Sequence, residues 1–167
     1  LEVCRNQNLT LTSFASDGGT WPFFVASDTD PADYYHGENT QGGWTPQTRL
    51  EFDKVRRSFI ETHQPARVIL CGRWSFYHRQ LGDAKLQRYF EDLLSIIPNS
   101  SALIIIGQPP TLPFGSAGLS SGRLDVPRYR AFAEDAEELS HRQSAHTVIG
   151  RFGDNDARIR FVPVDDI

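Results

Sequence analysis

Arg73 is the residue of this chain hardest to place without a chemical task. It follows the apolar run Val68-Ile69-Leu70-Cys71 after one glycine, Gly72, and Trp74 comes directly behind it. A guanidinium at the end of a buried strand must find carboxylate or carbonyl partners, because an unpaired charge next to a core is costly. Two uses fit: a cation presented to an anion or a developing oxyanion, or an internal ion pair with a carboxylate such as Asp17 or Asp165. Trp74 beside it serves either as a pocket wall touching substrate or as ordinary core. Gly18 and Gly19 follow another apolar stretch, where glycine lets the chain turn sharply and present backbone N–H groups to an oxyanion. Gln108 stands just beyond the apolar run 102–106, and Trp21 opens a long aromatic-rich segment. Both are candidates to contact substrate.

Other motifs carry less. Gly118-Leu119-Ser120-Ser121-Gly122 satisfies G-x-S-x-G, but a nucleophile elbow needs an apolar strand immediately before it, and here a Pro-rich stretch precedes it. Gly153-Asp154-Asn155-Asp156 matches a G-x-N-D pattern, yet its position between two apolar segments suits a polar turn. The five histidines lack the H-x-x-x-H or H-E-x-x-H spacing that puts two ligands on one helical face, so no metal is expected. No phosphate-cradling or dinucleotide-binding glycine loop occurs, so no cofactor is expected either. The two cysteines make neither a disulfide framework nor a zinc site. With a net charge of −4 and scattered Lys and Arg, no basic stripe is available to neutralise phosphates, which argues against nucleic acid as a partner.

The elements that position these residues follow from periodicity. The chain is 39% hydrophobic and 23% charged, values of a folding globular domain, and its 167 residues suit one domain. No apolar run approaches the roughly 18–20 residues that cross a bilayer. Residues 9–14 alternate as a strand should. Residues 48–62 space Leu50, Phe52, Val55, Phe59 and Ile60 as an amphipathic helix. Residues 67–71, apolar after Arg67, and the apolar run 102–106 are expected as parallel strands buried on both faces. Between them Leu86, Tyr89, Phe90, Leu93, Leu94 and Ile97 form a second helical stripe. The loop 107–127 is followed by an expected helix with Pro127 near its first turn, running through Phe132, Ala136 and Leu139. Residues 146–149 and 159–164 read as short strands.

This βαβα order predicts an α/β three-layer sandwich with a mostly parallel sheet, flavodoxin-like in arrangement, with its site at the carboxyl ends of the strands. Three loops should converge there: 16–21, 72–75 and 107–113.

Three segments resemble the SGNH-type (SGNH/GDSL hydrolase-like) domain of bacterial integral-membrane O-acyltransferases, which acylate cell-surface polysaccharides. They are residues 11–24, a strand followed by Gly-Gly and an aromatic-Pro pair; Arg67 with the following VILCGRWSFY; and ALIIIGQPP at 102–110. The resemblance implies an extracytoplasmic or periplasmic domain within a bacterial membrane protein. It also implies a membrane acyltransferase domain in the same parent chain as partner, and a glycan hydroxyl as acceptor of an acyl group, acetyl above all. The family's Gly-Asp-Ser nucleophile motif and Asp-x-x-His pair are absent here. The expectation is a single SGNH-like domain over residues 1–167, truncated at both ends, whose Ser-His-Asp nucleophile and Asp-His pair lie outside it. On that reading Gly18, Gly19 and Arg73 supply oxyanion or pocket contacts, with Arg73 where hydrolytic relatives carry an Asn. Two alternatives stand beside it: a secreted carbohydrate esterase of the same fold, and a non-catalytic glycan-binding domain in which Trp21, Tyr34, Tyr35 and Trp44 stack on sugar.

Overall fold

Thr45 starts the first helix by a reciprocal cap. Its hydroxyl accepts the Thr48 amide at 3.2 Å, while Thr48 Oγ1 accepts the Thr45 amide at 2.8 Å, which occupies two N–H groups that the helix end leaves over. The computed structural model describes residues 10–14, 24, 45–111 and 134–164. Within them lie α1 (Pro46–His63), β1 (Arg67–Cys71), α2 (Trp74–Ile96), β2 (Ala102–Ile106), α3 (Ala136–Asp154) and β3 (Ile159–Val162). The chain is therefore an α/β protein with a parallel sheet in the order β1-β2-β3.

Among the described residues, α2 stands between β1 and β2 in the chain and α3 between β2 and β3. In a parallel sheet of this order, crossovers of one hand carry their helices to the same face, and α2 and α3 do pack closely on each other, with Phe90 of α2 stacked on Phe152 of α3 at 5.3 Å. Leu86, Phe90 and Leu93 from α2, Ala145 and Ile149 from α3, and Leu103 and Ile105 from β2 form the center of the core. The stripe read from Leu86 to Ile97 is the one that is buried. Gly82 interrupts α2 with φ 68° and ψ 175°, a backbone region open essentially to glycine.

Several expectations are corrected. Residues 10–14 do not form a strand and are exposed; Phe14 instead sets its ring edge-on against Phe52 and Phe59 of α1. Residues 146–149 are helical, because Ala145, Val148, Ile149 and Phe152 lie at the three-and-four spacing that faces the core. Of the helix expected from Pro127 through Phe132 to Leu139, residues 127–133 lie outside the described residues; α3 begins at Ala136, where Asp135 has a non-helical backbone and caps the amides of Glu137 and Glu138. The expected loop 72–75 is shorter, with Trp74 already helical. Nor are the strands buried on both faces among the described residues. In β2, Leu103 and Ile105 are sealed while alternate residues are half-buried, and in β1 Ile69 is 50% exposed. A continuous apolar run shows that a strand is hydrophobic, not which face is covered.

Candidate functional site at the carboxyl edge of the sheet

The loops after β1 and β2 meet the first turn of α3 around one carboxylate, Glu138. Gly72 permits the approach: a Cβ there would come within 2.9 Å of the Tyr77 ring. Arg73 then turns its guanidinium to Glu138, with Nη2 at 3.3 Å and Nε at 3.4 Å from Oε1. The internal ion pair therefore exists, with Glu138 as partner; Asp17 and Asp165, the carboxylates expected for it, lie outside the described residues. The Arg73 side chain remains 57% exposed while that of Glu138 is 7% exposed. A buried anion thus holds a cation whose outer face is open to solvent.

Glu138 collects more donors. Ser75 Oγ donates to Oε1 at 2.5 Å, Thr111 Oγ1 at 3.0 Å and Gln108 Nε2 at 3.4 Å, while Arg79 Nη2 reaches Oε2 at 2.9 Å. Burial by itself pushes this carboxyl up, but the Ser75 and Thr111 hydrogen bonds and the Arg73 charge outweigh it and hold the group down to about 2. Glu138 is therefore a fixed anion at neutral pH and no general acid. Its place in the first turn of α3 adds the favourable field of a helix N-terminus.

Gln108 connects the loops. Its Oε1 accepts the Ser75 amide at 2.8 Å, capping the start of α2, where Arg73 supplies no side-chain cap. Its backbone N–H donates to Nε2 of His146 at 3.0 Å. Gln108 is 5% exposed, so it acts as a strut that positions the loops. Trp74 is fully buried and its indole N–H donates to the Ile106 carbonyl at 2.7 Å. The core use of Trp74 is the one realised, and in this arrangement the ring offers no surface to a substrate. The loop after β2 is tied down further by Glu134, which accepts the Thr111 amide at 2.8 Å and pairs with the buried Arg142 at 2.7 Å.

Of the residues expected at the site, Arg73, Trp74 and Gln108 are brought to one edge. Gly18, Gly19, Trp21 and Ser120 lie outside the described residues. Ser75, Thr111, Arg79 and Glu138 were not singled out from sequence; Ser75 and Arg79 on α2 stand far along the chain from Thr111 and Glu138, and a Glu in a helix otherwise reads as a solvated face. Nearby, His78 Nδ1 and His141 Nδ1 approach to 2.8 Å and Asp83 accepts from His78 Nε2 at 2.6 Å, linking α2 to α3. No group of three metal-ligating side chains occurs among the described residues, and no helix among them is long and apolar enough to cross a membrane.

Comparison of the chain with protein-family models, curated proteins and solved structures returns no match.

Proposed function

We propose that this chain is the extracytoplasmic SGNH-type domain of a bacterial membrane O-acyltransferase, transferring an acyl group, acetyl above all, to hydroxyls of a surface polysaccharide. The Ser-His-Asp chemistry of this reading is supplied from outside residues 1–167. The observation that carries it is the Arg73 guanidinium, seated on the buried Glu138 at the carboxyl end of β1 with more than half of its side chain open. Ligands of open parallel α/β sheets bind at that edge. A cation held there in advance can stabilise negative charge that grows on an acyl carbonyl oxygen, and its orientation is set before the reaction. Gln108 and Thr111 support the reading by locking the neighbouring loop to the same anchor.

The test is Arg73→Ala in the full protein that contains this domain, with O-acetyl groups on the glycan counted by NMR. Acetylation should fall on the order of 100-fold, the scale for loss of one oxyanion donor. Because the Arg73 side chain is more than half exposed and the buried Glu138 keeps Ser75, Thr111, Gln108 and Arg79 as donors, the unfolding midpoint should fall only slightly. Undiminished acetylation by a folded variant would remove Arg73 from the mechanism.

A further inference from the structure

A groove of about 1020 Å³ runs along β1 and reaches Arg73 at the rim of the Glu138 cluster. It is lined by residues 10–14, by Phe24, Phe59 and Ile60, and by β1 from Arg67 through Cys71. Its most telling wall is the edge of β1. In a parallel ladder, alternate residues direct both N–H and C=O to the same neighbour. The Ala66 carbonyl accepts the Ala102 amide, so Ala66, Val68 and Leu70 serve β2. Arg67, Ile69 and Cys71 therefore point their backbone groups to the other side, where no strand pairs with them among the described residues. Such an edge is a template for another extended chain.

The charges at the groove are as informative as its backbone. Arg67 stands at the amino end of β1 and makes no ion pair among the described residues; Arg73, held on its inner side by Glu138, keeps its outer face open just past the carboxyl end; and Arg56, paired with Asp53, also lines the groove. No carboxylate is among the described residues that line the groove, whereas Leu11, Phe14, Ile60 and Leu70 make its middle apolar. We propose that this groove takes one extended strand of a partner polypeptide, apolar in its middle and acidic at both ends, which adds to the free edge of β1. Only a polypeptide repeats donor and acceptor pairs at every second residue, a spacing of ~6.6 Å, as Arg67, Ile69 and Cys71 require. A strand running parallel to β1 would end beside Gly72 and Arg73. The inference does not rest on the acyl-transfer reading, although both use the open face of Arg73; the exchange and peptide-binding measurements below do not depend on acyl transfer.

The experiment uses the 167-residue chain, the capped peptide Asp-Val-Thr-Val-Thr-Val-Asp and amide hydrogen exchange followed by NMR. Saturating peptide should slow exchange at Ile69 and Cys71 at least tenfold. A peptide with lysine at both ends should bind at least tenfold more weakly. Ile69→Pro removes an outward N–H and leaves the β2 ladder intact, so it should abolish the protection, while Ile69→Thr, which keeps that N–H, should retain it. Four results would overturn the proposal. They are unchanged exchange with peptide, equal binding of the lysine peptide, or slow exchange at Ile69 and Cys71 in the chain alone, which means its own residues fill the edge. The fourth is protection that rises with protein concentration, which means that a second copy does.

Discussion

Glu138→Ala is expected to lower the folding free energy by about 3 kcal/mol, read from urea unfolding at pH 7. The carboxylate is the shared acceptor for Ser75, Gln108, Thr111, Arg73 and Arg79. Arg73 and Arg79 are exposed enough to turn to water, but Ser75 and Gln108 are buried. Gln108 Nε2 would keep Thr111 Oγ1 at 2.9 Å, but the buried Ser75 hydroxyl would lose its acceptor, which is the expensive part of the change. The same group sets a pH dependence. Its folded-state value of about 2 lies below the ordinary 4.5, so the unfolded chain takes up the proton first. The stabilisation is complete above about pH 4.5 and is lost as pH falls toward 2. Glu138→Gln cannot titrate there, so the gap between wild type and this variant should be widest at neutral pH and close by about pH 2. A gap that stayed constant over that range would mean that the donors do not depend on the charge.

Trp74→Ala is expected to cost about 3–5 kcal/mol, as for other large aromatic truncations in cores. The indole is fully buried between Tyr77 and Phe90, at centroid distances of 5.8 and 5.7 Å, and it also satisfies the carbonyl at the end of β2. Against a typical total of roughly 5–15 kcal/mol, this is a large fraction. Trp74→Phe separates the two contributions. It keeps most of the apolar contact and leaves the Ile106 carbonyl without its donor, so about 1–3 kcal/mol should remain. Thermal unfolding of both variants checks the order, and an alanine variant as stable as wild type would contradict the core placement. Because Trp74 follows Arg73 directly, the same variant should also disturb the turn that aims the guanidinium.

The strands beginning at Arg67, Ala102 and Ile159 stand where apolar runs between polar turns put them, and the stripe from Leu86 to Ile97 is the buried side of α2. Local pattern suffices there, since short apolar-rich runs bounded by Gly or Pro leave few other solutions. It misleads at 146–149. His-Thr-Val-Ile has the β-branched content of a strand, but Ala145 and Phe152 on either side complete a helical face against Phe90. Tertiary packing overrides propensity in that segment. Residues 10–14 err the other way, since alternation makes a strand possible but pairing is a property of the neighbour.

The turn at Gly72-Arg73-Trp74 was legible in sequence as a place where an apolar strand meets a polar edge, and so was the demand that Arg73 find a partner. Composition and periodicity also determined the α/β class and the parallel order of its strands. Which carboxylate answers Arg73 was decided only by the tertiary structure. Glu138 is 65 residues away along the chain, and no local spacing connects them. Likewise Trp74 became core and Gln108 a strut because α2, α3 and the loop after β2 close over them. Which groups are buried, and which anion offsets which cation, depends on the dielectric and the neighbours that packing creates, and neither exists until the chain has folded.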